Sequence, residues 1–136
     1  MAKDASRVLG APELAGSIVN ARTFARKLTA GSREAVAVEA TGAAPELPHF
    51  GRVGYLAVTR DEVAIVSTKN AALWTRLGDR VLARAPRTAN TSVELAGGLL
   101  SHLEIGFDNA VVWQLDVPRL NRGTAEAVVR ELRSSR

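Results

Sequence analysis

Residues 55–69 read YLAVTRDEVAIVSTK and place two apolar runs on either side of a short charged group, Arg60, Asp61 and Glu62. The apolar side chains in each run can be divided between the two faces of an extended strand. The polar group between them marks the point where the chain reverses. The stretch therefore predicts an antiparallel hairpin. Because an isolated hairpin is not stable in water, further strands must complete a sheet around it.

Period-two alternation of apolar residues recurs along most of the chain after residue 33. The strands that it predicts cover residues 34–41, 52–59, 62–69, 80–86, 91–96, 99–107 and 110–117. Breaks follow the expected chemistry, since Pro86 ends the fourth strand and Gly97 and Gly98 end the fifth. The pattern predicts a mostly antiparallel sheet of seven strands.

Residues 12–30 have a different period, with apolar side chains at three- and four-residue steps. Pro12 suits the first turn of a helix, and Gly31 is a typical stop after its last turn. The apolar stripe consists of Leu14, Ile18, Ala21, Ala25 and Leu28. We therefore predict a helix over residues 12–30, preceded by a mobile tail at residues 1–11.

A second helix is predicted after Pro118 and ends near Ser134. Asn121 or Thr124 can cap its N-terminus, because both side chains accept hydrogen bonds from free backbone N–H groups. Its apolar positions follow the i, i+3, i+4, i+7 spacing of a stripe that faces a core: Ala125, Val128, Val129 and Leu132. The predicted fold class is thus α+β, with a C-terminal helix against an antiparallel sheet.

The bulk composition is that of a globular domain. The chain has 136 residues, of which 46% are hydrophobic and 24% charged, so it can bury a core and is not disordered throughout. It contains no cysteine, which excludes disulfides and zinc sites built on sulfur. The first ten residues lack the apolar core of a secretory signal. We therefore expect a cytoplasmic protein, and the abundance of Ala, Arg, Val and Gly favours a GC-rich, actinobacterial-type genome.

The net charge of +4 is not concentrated in one stripe. Basic residues dominate in 1–33, 69–90 and 119–136, whereas acidic residues dominate in 34–68 and 91–118. Alternation of this kind favours solvated faces and pairing within the molecule over a phosphate-binding surface. Nucleic acid is therefore the less favoured partner.

Three stretches resemble bacterial domains of the pleckstrin-homology (PH) and GRAM-like superfold: GYLAVTRDEVAIVSTK, RVLARAPRTANTSVEL and LEIGFDNAVVWQLDVPR. The resemblance covers residues 34–134. It implies a PH-like, seven-stranded, partly open barrel that the C-terminal helix caps, with the helix at 12–30 as an addition. Residues 1–33 would then be an N-terminal tail and helix, and residues 34–136 the PH-like domain.

The resemblance implies a non-enzymatic binding or scaffolding module for protein partners or for self-association. It does not imply specific binding of inositol phosphates, because the loop GAAPELPHFGRVG offers only His49 and Arg52. The final helix also lacks the tryptophan common in eukaryotic PH domains. An alternative architecture is a cystatin- or NTF2-like cone, which fits an N-terminal helix better and a C-terminal helix worse.

The segment between Lys69 and Arg87 is the main candidate site. Its basic and aromatic residues are Lys69, Trp74, Arg76, Arg80, Arg84 and Arg87. Leu73, Trp74 and Leu77 have helical spacing, which predicts either an amphipathic lid that meets an anionic lipid surface or an acidic protein, or a short helix that closes one barrel end. Arg80 and Arg84, four apart on a strand, would share a face and could pair with Glu94.

No motif in the sequence indicates catalysis, a metal or a cofactor. His49 and His102 have no ligand-spaced partner. Ser101 and His102 are adjacent on a predicted strand and so point to opposite faces, which prevents them from acting as a nucleophile and its base. His102 should lie on the outer face. We therefore predict a protein that is not an enzyme and that needs no cofactor.

Overall fold

The computed structural model describes residues 2–21, 53–71, 74–97, 101–108 and 111–134. These ranges contain two α-helices, a short 3-10 helix and seven antiparallel strands, which confirms the predicted α+β class. The elements in chain order are α1 (Ala2–Leu9), β1 (Ala15–Ala21), β2 (Gly54–Val58), β3 (Glu62–Ala71), β4 (Trp74–Pro86), β5 (Ser92–Ala96), β6 (Ser101–Gly106), β7 (Val112–Val117), the 3-10 helix (Arg119–Asn121) and α2 (Arg122–Ser134).

The strands form one sheet in the order β4-β3-β2-β1-β7-β6-β5. β1 joins the two halves, because it pairs with β2 from Ala15 to Val19 and with β7 at Asn20 and Ala21. β4 and β5 lie at the two ends of this order and do not pair with each other in the described part of the chain. The sheet is therefore not closed, as expected of a partly open barrel.

The hairpin predicted from residues 55–69 is formed by β2 and β3. At its turn the Thr59 N–H donates to the Glu62 carbonyl at 2.9 Å, and the Glu62 N–H donates to the Thr59 hydroxyl at 3.2 Å. Both faces of the hairpin are buried. Leu56, Val58, Val63 and Ile65 face an inner core, and Tyr55, Ala57, Ala64 and Val66 face an outer one. Burial on two sides explains why both runs are apolar at nearly every position.

The inner core lies between the sheet and α2. Trp113 of β7 is fully buried there, and its ring meets that of Phe107 edge to face, with centroids 4.8 Å apart. α2 contacts β1, β2 and β5, so it covers one end of the barrel. Its buried residues are Ala125, Val128, Val129 and Leu132, which confirms the predicted stripe.

The outer core lies under α1, which packs on the outer face of β2, β3 and β4. Ala5 and Leu9 supply its buried side chains, whereas Asp4 and Arg7 form an exposed ion pair at 3.3 Å. No helix within the described ranges is long and apolar enough to cross a bilayer.

The helix predicted at residues 12–30 is wrong over Ala15–Ala21, which form β1. There Ala15 and Val19 face the inner core, while Ile18 packs against the outer one. The N-terminal helix exists, but it occupies Ala2–Leu9, where a tail was predicted. Residues 22–30, the strand predicted at 34–41 and the boundary near residue 33 lie outside the described residues.

Candidate functional site

The candidate basic segment forms a long two-stranded ribbon rather than a helical lid. β3 runs to Ala71 and β4 begins at Trp74, so Trp74 and Leu77 belong to a strand. Both interpretations that required a helix at these positions are therefore wrong. Leu73 lies outside the described residues. The ribbon is regular at its far end, where Ala71 is opposite Trp74 and Lys69 is opposite Arg76.

Three of the predicted cations lie on the exposed part of this ribbon. Lys69 and Arg76 are exposed and directly opposite each other, so two like charges share one cross-strand position. Arg80 is also exposed, and its backbone N–H donates to the Ser67 hydroxyl at 3.2 Å. Asp79 adds one exposed acidic residue. The far end of the ribbon is thus predominantly basic, and we call Lys69, Arg76 and Arg80 the basic ribbon end.

Arg84 is separated from this group. The pairing of β3 with β4 shifts between Ile65 and Val66, so that Ala83 faces the inner core but Val81 packs against the outer one. An inserted residue of this kind reverses side-chain alternation, and a spacing of four no longer places Arg80 and Arg84 on one face. Arg84 instead lies 3.7 Å from Glu62, and the predicted pairing with Glu94 is wrong because β5 is at the other end of the sheet.

Arg87 is not an exposed binding residue, because the fold buries it. Its side chain is 2% exposed. The guanidinium donates to the Thr59 carbonyl at 2.8 Å and to the carbonyl and carboxylate of Glu131 at 2.7 and 2.9 Å. Its backbone N–H donates to the Asp61 carbonyl at 2.9 Å. Arg87 therefore ties the β2–β3 turn to α2, and its predicted role in binding is replaced by a structural one.

An acidic surface that was not predicted from the sequence lies on the outer face of β5, β6 and β7. Glu94 of β5 and Glu104 of β6 are exposed and directly opposite each other. Gln114 of β7 continues the row, and its amide approaches the Glu104 carboxylate at 3.5 Å. Only the pairing of β5 with β6 and of β6 with β7 reveals this surface. In the sequence, each carboxylate looks like an ordinary solvent-facing residue. We call Glu94 and Glu104 the acidic pair.

His102 lies on the same outer face, as predicted. Its Nδ1 is 2.7 Å from the Asp116 carboxylate, directly across β6 and β7. Ser101 is buried on the opposite face, where its hydroxyl accepts a hydrogen bond from Arg122 at 2.7 Å. The two neighbours therefore do not form a nucleophile and base. Within the described residues no three metal-ligating side chains converge, and His49 is not among these residues.

A cleft of about 560 Å³ lies between the α1–β1 connection and the β2–β3 turn. Leu9 and Leu14 give it apolar walls, while Arg60, Asp61 and Arg84 bring charges of both signs to its rim. The rim carries charges of both signs, and two of them, Glu62 and Arg84, already pair with each other. The cleft therefore shows no preference for a cationic or an anionic ligand.

Beside that connection, Tyr55 and Glu13 lie over Gly16. A side chain at Gly16 would overlap both the Tyr55 hydroxyl and the Glu13 carboxylate, so these two side chains would have to shift to accommodate it. Burial, followed by hydrogen bonding and charge from Glu13, raises the pKa of Tyr55 far above its usual value.

The raised pKa of Tyr55 predicts a loss of stability in alkali. Below pH 10 the Tyr55 hydroxyl is neutral in both states, and its stabilising effect is fully present. Above pH 10 the unfolded chain loses the proton while the folded chain keeps it. The free energy of unfolding should therefore fall by about 1.4 kcal/mol per pH unit through this group.

The measurement is urea unfolding across alkaline pH for the natural chain and for Tyr55→Phe, which lacks the ionising group. The difference between the two slopes of unfolding free energy against pH gives the contribution of Tyr55, because the lysines and arginines contribute equally to both chains. Because the chain has one tyrosine, tyrosinate absorbance reports this residue alone. Equal slopes for both chains, or a tyrosinate signal at pH 10 in the folded protein, would contradict the prediction.

The described surface thus offers two charged features of opposite sign, the basic ribbon end and the acidic pair. Neither is built around a cavity, a metal or a catalytic group within the described ranges. Comparison with known proteins identified no relative. No family model matches the chain, and neither a curated protein nor a solved structure matches it.

Proposed function

We propose that the protein is a non-enzymatic, PH-like binding module that holds an acidic protein partner through the basic ribbon end. The PH-like assignment is supported by the order of the strands, which joins β1 to β7 and leaves an opening between β4 and β5. It is also supported by α2, which covers one end of the barrel. The same combination of open barrel and terminal helix is what the sequence resemblance implies.

The observation that carries the binding proposal is the Lys69–Arg76 pair. Like charges directly opposite each other on neighbouring strands destabilise a sheet. In the described part of the chain no carboxylate forms an ion pair with either residue. An acidic ligand relieves this repulsion, and a neutral strand does not, so the charges also select against non-specific pairing at the β4 edge.

A protein partner fits this surface better than a membrane does. Insertion into a lipid interface relies on an amphipathic element with an apolar face toward the acyl chains. Leu77, which was expected to belong to that element, instead packs against the outer core. An anionic membrane surface remains as the alternative partner, which would bind through charge alone.

The test compares Arg76→Glu/Arg80→Glu with a control, Arg119→Glu/Arg130→Glu, which carries the same charge change at exposed positions outside the ribbon. Each chain is immobilised and incubated with an extract of its native host, and captured proteins are quantified. We expect capture to fall about tenfold or more for the ribbon variant and to persist for the control. Equal capture by both variants would overturn the proposal.

Flotation with vesicles of phosphatidylcholine, with and without phosphatidylserine, separates the two partners. We expect no flotation with either. Flotation that requires phosphatidylserine and is lost in the ribbon variant would assign the basic ribbon end to membranes and overturn the choice of a protein partner.

A further inference from the structure

The charges of the basic ribbon end are mirrored by those of the acidic pair. Lys69 and Arg76 are directly opposite each other on β3 and β4, and Glu94 and Glu104 are directly opposite each other on β5 and β6. Both pairs are exposed. Among the described residues no ion pair neutralises either of them. Each is a repulsive arrangement by itself, and each has the charge that the other lacks.

The two pairs cannot neutralise each other within one molecule. β4 from Arg76 to Pro86 spans roughly 30 Å, whereas Glu94 lies close to the start of β5, near the β4–β5 connection. Separation of this size is well beyond the distance over which exposed charges interact at physiological salt. Within the part of the chain that the structure describes, neither pair therefore supplies the counter-charge of the other.

We propose that the acidic partner of the basic ribbon end is a second copy of this protein, which presents Glu94 and Glu104. The inference rests on the proposed function and names its partner. Contact between two basic ribbon ends, or between two acidic pairs, would place like charges together and is disfavoured. The contact is therefore heterologous, with the basic end of one copy against the acidic face of the next.

A contact of this kind is concentration-dependent and weakens as salt rises, because its charges are exposed. The contact can also be tested by reversing charges on each surface in turn. Reversing the charge on one surface abolishes association of that variant with itself. Mixing it with the variant reversed on the other surface restores association, since every contact between the two variants again joins opposite charges.

The experiment uses Lys69→Glu/Arg76→Glu and Glu94→Lys/Glu104→Lys, studied by sedimentation velocity over a range of concentrations at low and high salt. The natural chain should associate at low salt and dissociate at high salt. Each variant alone should associate at least about tenfold more weakly, and their equimolar mixture should recover the natural behaviour. Matching circular dichroism and melting curves establish that both variants fold, and Arg119→Glu/Arg130→Glu serves as the charge control.

A natural chain that stays monomeric, or a mixture that fails to recover association, would overturn the inference. Association that persists in both variants alone would place the contact elsewhere and overturn it as well. If the natural chain is monomeric while the host-extract capture still depends on Arg76 and Arg80, self-association is wrong and the proposed function stands. If the natural chain is monomeric and capture does not depend on Arg76 and Arg80, the proposed function is wrong as well.

Discussion

Replacing Arg87 with leucine is expected to lower the free energy of unfolding by about 3 kcal/mol. The guanidinium provides donors for the Thr59 carbonyl and for two oxygens of Glu131. Leucine fills much of the volume but donates no hydrogen bond, so these acceptors lose their partner where water has little access. The Glu131 side chain is 27% exposed, which lets solvent recover part of its carboxylate interaction and keeps the effect near the lower end for buried pairs.

Urea unfolding of Arg87→Leu and of Arg130→Leu provides the measurement. Arg130 is an exposed arginine of α2, one residue from Glu131, and its replacement should change stability by no more than about 0.5 kcal/mol. Arg87→Lys should fall between the two, because one ammonium cannot reach all the acceptors of a planar guanidinium. Similar losses for Arg87→Leu and Arg130→Leu would show that the buried arginine does not link the turn to α2.

Replacing Trp113 with alanine should cost about 4 kcal/mol of unfolding free energy. The indole is fully buried at the centre of the inner core and packs edge to face on Phe107. Alanine removes that apolar surface from the core and leaves a cavity that β6 and β7 cannot close without shifting. The loss includes the aromatic contact, which contributes about 1 kcal/mol beyond burial.

The matched control is Val112→Ala, one position earlier on the same strand. Val112 is 42% exposed and points away from the inner core, so its truncation should change stability by less than about 1 kcal/mol. Both variants are unfolded in urea and followed by far-ultraviolet circular dichroism, which reports mainly the backbone. Comparable losses at the two positions would show that β7 is not oriented as described.

The part of the fold that sequence predicts best is the part specified by local alternation. β2, β5, β6 and β7 each fall within a predicted strand, and β3 begins as predicted but continues two residues beyond the predicted end at Lys69. The apolar stripe of α2 is correct at every position. In these elements one face or both faces are buried, so the period of the apolar residues records the geometry directly.

β1 was misread because its apolar residues satisfy two periods at once. Leu14 and Ile18 are four apart, which fits one face of a helix and equally one face of a strand. The identities of neighbouring residues favour the strand, because Gly16 is a poor helix former and Ile18 and Val19 are β-branched. Conversely, Ala5 and Leu9 of α1 are four residues apart, a spacing that fits one face of the helix that forms there.

The candidate site was harder to predict because its groups are related by register and by distant contacts. Arg87 looks like its exposed basic neighbours, and only the fold brings it to Thr59 and Glu131, which are 28 and 44 residues away. Arg80 and Arg84 were assigned to one face because a shift in pairing cannot be seen in spacing. The pairs Lys69–Arg76 and Glu94–Glu104 likewise exist only once strand register is known.

The two cores have separate covers, α2 for the inner one and α1 for the outer one. α1 spans only Ala2–Leu9, and a helix of that length has little stability apart from its packing. Detachment of α1 therefore requires only the loss of the outer core's burial and leaves α2 and the inner core in place. The molecule consequently has native openings of different free energy. The amide protons of α1 exchange with solvent through a subglobal step, whereas those around Trp113 exchange only on complete unfolding.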